Sequence, residues 1–204
     1  MKEKILEEAE RLFWKYGVRS ITMDDIARRL AISKKTIYQH FSDKEDILTQ
    51  VTQYRMAKDH EMMCCATTEA QTPIHEVMAM LDMLRQNADN VNPALVMDIK
   101  RYYPKAWAIY GEFKENFIMK SIIDNIRRGI NDGYFRADVN PEILARMRVE
   151  QIEMVFEMLA FPQSYDMITV QQELTHHFVR GLLTEKGFSI YNQYNSTIQH
   201  EIPT

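Results

Sequence analysis

The sequence has 204 residues, of which 46% are hydrophobic and 26% charged, and its formal net charge is −4. This composition excludes an intrinsically disordered chain, and the acidic balance excludes a histone-like protein that coats nucleic acid through bulk charge. Six Gly and six Pro are few for a turn-rich β fold, so the composition favours an all-α fold. Residues 1–60 nevertheless carry 12 Lys or Arg against 10 Asp or Glu, so a small positive excess lies at the N-terminal end.

The first helix is predicted by apolar residues at helical spacing: Ile5, Leu6, Ala9, Leu12, Phe13 and Tyr16. Gly17 is placed to end it. A second helix is predicted to begin after Thr22, because Thr22 is followed three residues later by Asp25, an approximate capping box.

A third helix is predicted after a short turn at Ala31-Ile32. Ser33 is placed to cap this helix, which we predict to continue to Phe41. Two short helices joined in this way are typical of a helix-turn-helix. No acid occurs between Ser33 and Ser42, although the chain has more acids than bases. The pattern therefore predicts a surface that faces a polyanion, because the first turn of a helix already attracts phosphate.

A long fourth helix is predicted to begin with a capping box at Ser42 and Glu45 and to continue to Met63. Further helices follow, with breaks at Pro73, residues 90–93, Pro104, Gly133 and residues 162–164. The polar residues from about 188 are predicted to form a fraying tail. We therefore expect a helix-turn-helix DNA-binding domain over residues 1–46, joined by the long fourth helix to a larger helical effector-binding and dimerisation domain over residues 47–204.

Cys64 and Cys65 are adjacent, and adjacent cysteines rarely meet disulfide geometry. We expect two buried, inert thiols in a reducing compartment, and hence a cytoplasmic protein. A thiol-based sensor is the alternative. The first 17 residues carry four acids, and no run approaches the about 18 apolar residues of a membrane helix, so we expect neither a signal peptide nor a membrane anchor.

Residues 17–45 resemble the N-terminal domain of TetR-family regulators. The resemblance is carried by Thr22 before the second helix, Ile26-Ala27 within it, the Tyr38-x-x-Phe41 pattern in the third, and Lys44-Glu45 at the start of the fourth. Residues 129–138 also resemble a turn in the ligand domain of the family. Ala31 departs from the family, which often has Gly there. Because Ala tolerates a left-handed conformation poorly, we expect a slightly shifted turn.

The resemblance implies a ligand-responsive dimeric regulator, a repressor that binds a palindromic double-stranded DNA operator and is released by a small, largely apolar effector. It implies no enzymatic activity, cofactor or metal. By position, phosphates are held by Thr22, Ser33, Tyr38, His40 and Lys44, and base edges are within reach of Lys34, Lys35, Thr36 and Gln39. A buried imidazole is the alternative for His40.

The resemblance also implies a homodimer. Its interface would use two helices, one from Glu142 to Leu159 and one from Val170 to Leu183, whose apolar residues are equally compatible with an intrachain core. Fourteen Met and an aromatic group suggest an adaptable effector cavity lined by Tyr102, Tyr103, Trp107, Tyr110, Phe113, Phe117 and Phe156. Arg101 or His75 is a candidate polar anchor, although a surface or structural role is the interpretation that we favour for each.

A metal enzyme built in a helical bundle is the competing class. Glu173 and His176 fit one Glu-x-x-His step of a di-iron site. That chemistry needs two such steps, and the sequence has no second one.

Overall fold

The computed structural model describes residues 1–87, 94–157, 160–162 and 164–201. Its helices are α1 Lys2–Tyr16, α2 Met23–Arg29, α3 Lys34–Tyr38, α4 Lys44–Glu69, α5 Pro73–Asn87, α6 Ala94–Tyr102, α7 Pro104–Phe113, α8 Met119–Asn131, α9 Pro141–Glu157, α10 Met167–Leu182 and α11 Glu185–Glu201, with a π-helical segment, Lys114–Ile118, before α8. The all-α prediction is confirmed. None of these helices, over the described residues, is long and apolar enough to cross a membrane.

One compact unit consists of Met1–His60 and Asn87–Lys114. Its core is formed by α1 to α4 and also by Leu95, Ile99 and Ala106 of α6 and α7. Helix α1 contributes five buried side chains on one face and ends at Gly17, whose φ of 80° is favourable only for glycine. This unit extends beyond the residues 1–46 of the predicted DNA-binding domain.

The second compact unit consists of Glu61–Gln86 and Glu115–Thr204, so α4 supplies residues to both units. Its main core is formed by α5, α8, α10 and α11 around Phe135 and Phe178. Gly129 of α8 is fixed by this packing, because a Cβ there would lie 2.0 Å from the buried ring of Phe135. The turn over residues 129–138 therefore brings Phe135 back onto the helix that precedes it.

The C-terminal segment is a helix, and the predicted tail from about residue 188 is wrong. Thr184 begins α11 by accepting a hydrogen bond from the Gly187 amide at 3.1 Å. Tyr191 is 1% exposed and packs in the core of the second unit, with Ile190 and Tyr194 beside it. These residues form a narrow apolar stripe that the surrounding Asn and Gln conceal in the sequence.

The start of α4 is capped one residue later than predicted. Asp43 Oδ1 accepts a hydrogen bond from the Asp46 amide at 2.8 Å, and Asp46 Oδ2 accepts one from the Ser42 amide at 2.9 Å. Asp43 rather than Ser42 is therefore the cap. Farther along α4, Cys64 and Cys65 are both free and exposed, so the expectation of buried thiols is also wrong.

Candidate nucleic-acid interface

The two caps that frame the helix-turn-helix are present as predicted. The Thr22 hydroxyl accepts a hydrogen bond from the Asp25 amide at 3.2 Å, and the Asp25 carboxylate accepts one from the Thr22 amide at 2.9 Å. The Thr22 hydroxyl in turn donates to the Asp25 carboxylate at 2.6 Å, and this hydrogen bond, followed by the one from the Thr22 amide, lowers the pKa of Asp25. Ser33 Oγ likewise accepts a hydrogen bond from the Thr36 amide at 3.1 Å. The N-terminus of each of the two helices is thus fixed by residues close in sequence.

The turn between α2 and α3 keeps a left-handed residue at Ala31. Its φ is 53°, and the following amide, that of Ile32, donates to Ala27 O at 3.0 Å. The left-handed residue of the turn is thus Ala31 itself and not a neighbouring residue. Ala31 therefore carries strain that glycine would not.

Helix α3 is held by two apolar anchors. It ends at Tyr38, three residues before the predicted Phe41, and the His40 amide then closes a tighter turn onto Ile37 O at 2.9 Å. Ile37 is 0% exposed and Phe41 is 2% exposed. A helix of five residues is unstable in isolation, so these two side chains keep it in place.

The opposite side of α3 is polar. Lys34, Lys35, Tyr38, Gln39 and His40 are exposed and Thr36 is partly exposed, and we call these six residues the α3 surface. Tyr38 is 49% exposed, which is high for an aromatic side chain. The buried alternative for His40 is wrong. The structure thus brings the four residues predicted to reach base edges onto one accessible surface. Tyr38 and His40, which are predicted to hold phosphates, lie on the same surface.

Lys34 already has a partner within the protein. Its Nζ donates to Asp24 Oδ2 at 2.9 Å, and this hydrogen bond raises the pKa of Lys34. Both side chains are about half exposed, so water and salt weaken the pair. The ammonium is therefore pre-positioned at the start of α3 and can exchange Asp24 for a phosphate or a base.

Lys44 has a role that the sequence does not reveal. Its half-buried ammonium donates to Val18 O at 3.1 Å and to Ile21 O at 2.9 Å. Burial lowers its pKa, and the nearby Arg19 lowers it further. Lys44 thus fixes the loop that leads into Thr22. A contact of Lys44 with phosphate stays a prediction.

The predicted effector residues are divided between the two units. Tyr103 and Trp107 pack against the core of the first unit, and the rings of Trp107 and Tyr110 lie 5.1 Å apart. Tyr102 is exposed, with the guanidinium of Arg19 4.8 Å from its ring centre. Phe113 is partly buried in the first unit, Phe117 belongs to the second, and the side chain of Phe156 lies outside the described residues.

The two candidate polar anchors lie in different environments. His75 Nδ1 is 2.8 Å from the Thr72 hydroxyl, and its ring meets that of Tyr194 edge-on. Arg101 is exposed and lies over the ring of Tyr102. Neither arrangement identifies a ligand, so both assignments stay predictions.

The two helices predicted for the dimer correspond to α9 and α10, although Leu159 lies outside the described residues. Between α9 and α10 runs a groove of about 200 Å³ lined by Arg136, Val139, Asn140, Ile143, Leu144, Met147, His177, Phe178, Gly181 and Leu182. Ile143 is 65% exposed and Met147 is 42% exposed. Val155, Phe178 and Leu182 of the predicted interface are instead buried within the chain.

The candidate metal-binding residues do not converge in the described ranges, where no group of three His, Cys, Asp or Glu side chains could hold a metal ion. His176 Nδ1 lies 2.6 Å from the Tyr191 hydroxyl. Burial lowers the pKa of His176, as does the charge of Arg180. His176 is thus engaged with α11.

The comparisons with known proteins agree with this geometry. The family model described as bacterial regulatory proteins, tetR family, matches residues 5–51. An HTH-type transcriptional regulator of Bacillus subtilis, YvaF, is 26% identical over 160 residues, which cover 77% of this chain and 82% of that protein.

Two solved structures share the fold. A transcriptional regulator from Saccharomonospora viridis in complex with choline has a TM-score of 0.75 and 21% identity, covering 90% of this chain and 98% of that one. The regulator FadR from Bacillus subtilis in complex with stearoyl-CoA has a TM-score of 0.64 and 16% identity, covering 89% and 99% of the two chains.

The strain at Ala31 predicts a stabilising substitution. Ala31→Gly should raise the free energy of unfolding by up to about 1 kcal/mol, because glycine relieves the left-handed strain and loses part of that gain to unfolded-state entropy. For a chain of this size the expected rise in Tm is about 2–4 °C, measured by thermal unfolding.

Gly133→Ala is the matched reverse change. Gly133 has a φ of 75°, and a Cβ there meets nothing within 4 Å, so only the backbone is strained. It should lower the Tm by a similar amount. A lower Tm for Ala31→Gly would contradict the strain argument.

Proposed function

Because this chain belongs to the TetR family of bacterial transcriptional regulators, we propose that it is a homodimeric repressor that binds a palindromic operator and is released by a small effector. The observation that carries the DNA-binding part is the α3 surface: six polar residues without an acid, five of them exposed and one partly exposed, on and directly after the second helix of a helix-turn-helix. The relative from Bacillus subtilis is named as a regulator, and we propose a cytoplasmic protein without catalytic activity.

The chemistry of the α3 surface fits the major groove. Lys34, Lys35 and Gln39 have the side chains that read base edges, since Lys donates to guanine O6 and N7 and Gln pairs with adenine N6 and N7. Tyr38 and His40 can donate to phosphates and so fix the orientation of the helix on DNA. We propose this division of roles for the α3 surface.

Tyr38→Ala tests the surface directly. The change should weaken binding to a labelled mixed-sequence duplex of about 30 base pairs by about tenfold or more, because a hydrogen bond to a charged phosphate is lost. Fluorescence anisotropy at low ionic strength measures the affinity.

Tyr16→Ala is the matched control. Tyr16 is 40% exposed and lies at the end of α1, outside the α3 surface. This variant should bind DNA like the unchanged chain. Equal affinities for the Tyr38 and Tyr16 variants would refute the assignment of the α3 surface.

A dimer follows from the way a helix-turn-helix gains specificity. A single helix-turn-helix binds DNA weakly, whereas two copies spaced by one helical turn of DNA, or a multiple of it, recognise a symmetric site. The α9–α10 groove supports the interface that we propose. Ile143 and Met147 expose apolar surface beside it, and Gly181 leaves room for close approach because a Cβ there would meet nothing within 4 Å.

Met147→Glu should disrupt this interface. A symmetric interface contains the substitution twice, so two carboxylates enter an apolar contact. We expect the dimer dissociation constant to rise at least about tenfold in sedimentation analysis, with operator affinity falling in parallel.

Leu84→Glu is the control for the charge itself. Leu84 on α5 is 44% exposed, close to the 42% of Met147, and lies outside the groove. It should leave the dimer intact. If both variants dimerise like the unchanged chain, the interface lies elsewhere.

Effector control is the finer part of the proposal. The choline and stearoyl-CoA complexes of two proteins with this fold support a small-molecule site, and their difference means that the fold does not specify the ligand. We propose that the effector moves α4, so that the two α3 helices no longer match the operator spacing. We propose that α6 and α7 also take part in this movement, because Ile99, Tyr103 and Trp107 pack in or against the core that holds α3.

A further inference from the structure

A buried cation lies between α9 and α10, and no carboxylate among the described residues pairs with it. Arg148 is 7% exposed, and its Nη2 donates to Thr175 Oγ1 at 2.6 Å. Its Nη1 is buried and has no hydrogen-bond partner in the part of the chain that the structure describes. Its Cζ is 5.6 Å from the ring centre of Phe178. Arg148 is thus surrounded by one hydroxyl and an aromatic face.

This arrangement is costly for the folded chain. A buried charge is normally paired with an opposite charge or fully hydrogen-bonded, and with the described residues Arg148 meets neither condition. Burial lowers its pKa to about 10, so the guanidinium is still charged at neutral pH. Residues 61–204 carry 19 acids, yet none of those described forms an ion pair with it. An anion is the partner that its chemistry requires.

Two further polar groups on the same pair of helices are also unsatisfied. Gln171 is 7% exposed and lies one turn before Thr175 on α10, and its Nε2 has no partner among the described residues. Gln151 lies one turn after Arg148 on α9, and its Oε1 is likewise buried without one. Native proteins leave few such groups unsatisfied, so three on two adjacent helices mark a place prepared for a polar ligand group.

The identity of the free atoms indicates the ligand. Of the three atoms, Arg148 Nη1 and Gln171 Nε2 are donors and Gln151 Oε1 is an acceptor. Thr175 Oγ1 already donates to Gln171 O at 2.6 Å while it accepts from Arg148. Two free donors, one of them charged, suit an oxyanion. Ala145, Val149 and Val170, on the same two helices, are buried apolar residues. An oxyanion attached to an apolar body fits this combination.

We propose that Arg148, together with Gln171, binds the oxyanion of an otherwise apolar effector, a carboxylate or a phosphate. This inference rests on the proposed function, because it assigns the charged end of the effector that the regulator senses.

The test compares four probe classes with alkyl chains of six, ten and sixteen carbons: fatty acids, alkyl phosphates, alkanols and alkyltrimethylammonium ions. Calorimetry on the full-length chain measures affinity. At one or more chain lengths an anionic probe should bind at least about tenfold more tightly than the alkanol, and the cationic probe should bind worst. The anion preferred, carboxylate or phosphate, identifies the headgroup. No anion preference at any length would overturn the proposal.

Arg148→Met keeps an unbranched apolar stem and removes the charged guanidinium. It should lower the affinity for the anionic probe at least about tenfold and leave alkanol binding unchanged, while the Tm without ligand stays the same or rises because an unpaired buried charge is gone. Arg148→Lys should restore part of the anion preference. A strongly lowered Tm for Arg148→Met, or an unchanged anion affinity, would mean that Arg148 only supports the fold.

Arg146→Met is the matched control. Arg146 lies on the same helix, is exposed and pairs with Glu115 at 2.7 Å. It should bind every probe like the unchanged chain, and equal losses for both variants would overturn the assignment to Arg148. A DNA-binding measurement on the unchanged chain separates the two hypotheses. If the chain binds DNA but shows no anion preference, only the anion site is refuted. If the chain does not bind DNA, the proposed function is refuted.

Discussion

The attachment of α3 by Ile37 and Phe41 is the constraint on which the rest of the account depends. A five-residue helix has too few backbone hydrogen bonds to persist alone, so its position is set by what these two side chains contact. They are buried in the core built by α1, α2 and α4. Because the anchors occupy one side of α3, the other side is left to the polar residues that we assign to DNA.

The same core links α3 to parts of the chain that lie far away in sequence. Leu95, Ile99 and Ala106 are buried with Ile37 and Phe41, and Lys44 ties α4 to the carbonyls of Val18 and Ile21. A displacement of α6 or α7 within this unit would therefore disturb the packing under α3. A regulator needs such a connection, because effector binding must change an element that contacts DNA.

The N-terminal helices could be predicted from the sequence because their determinants are local. The Thr22 and Ser33 caps, Gly17 and the apolar spacing of α1 all act within a few residues of where they stand. Helix α11 could not be predicted, because its apolar residues are sparse and their role becomes visible only when Tyr191 is buried in the same core as Phe135 and Phe178. The contacts of Lys44 and Arg148 could not be predicted for the same reason. The partners of Lys44 lie 26 and 23 residues away in the chain, and Thr175 lies 27 residues from Arg148.

Selection of bound duplexes from a random DNA pool by the full-length chain tests the central claim most directly. We predict enrichment of one palindromic motif whose half-sites are centred about 10 base pairs apart or a multiple of that distance, as two α3 helices on one face of DNA require. A pool that stays unenriched after repeated rounds, or that yields a motif without two-fold symmetry, would contradict the account.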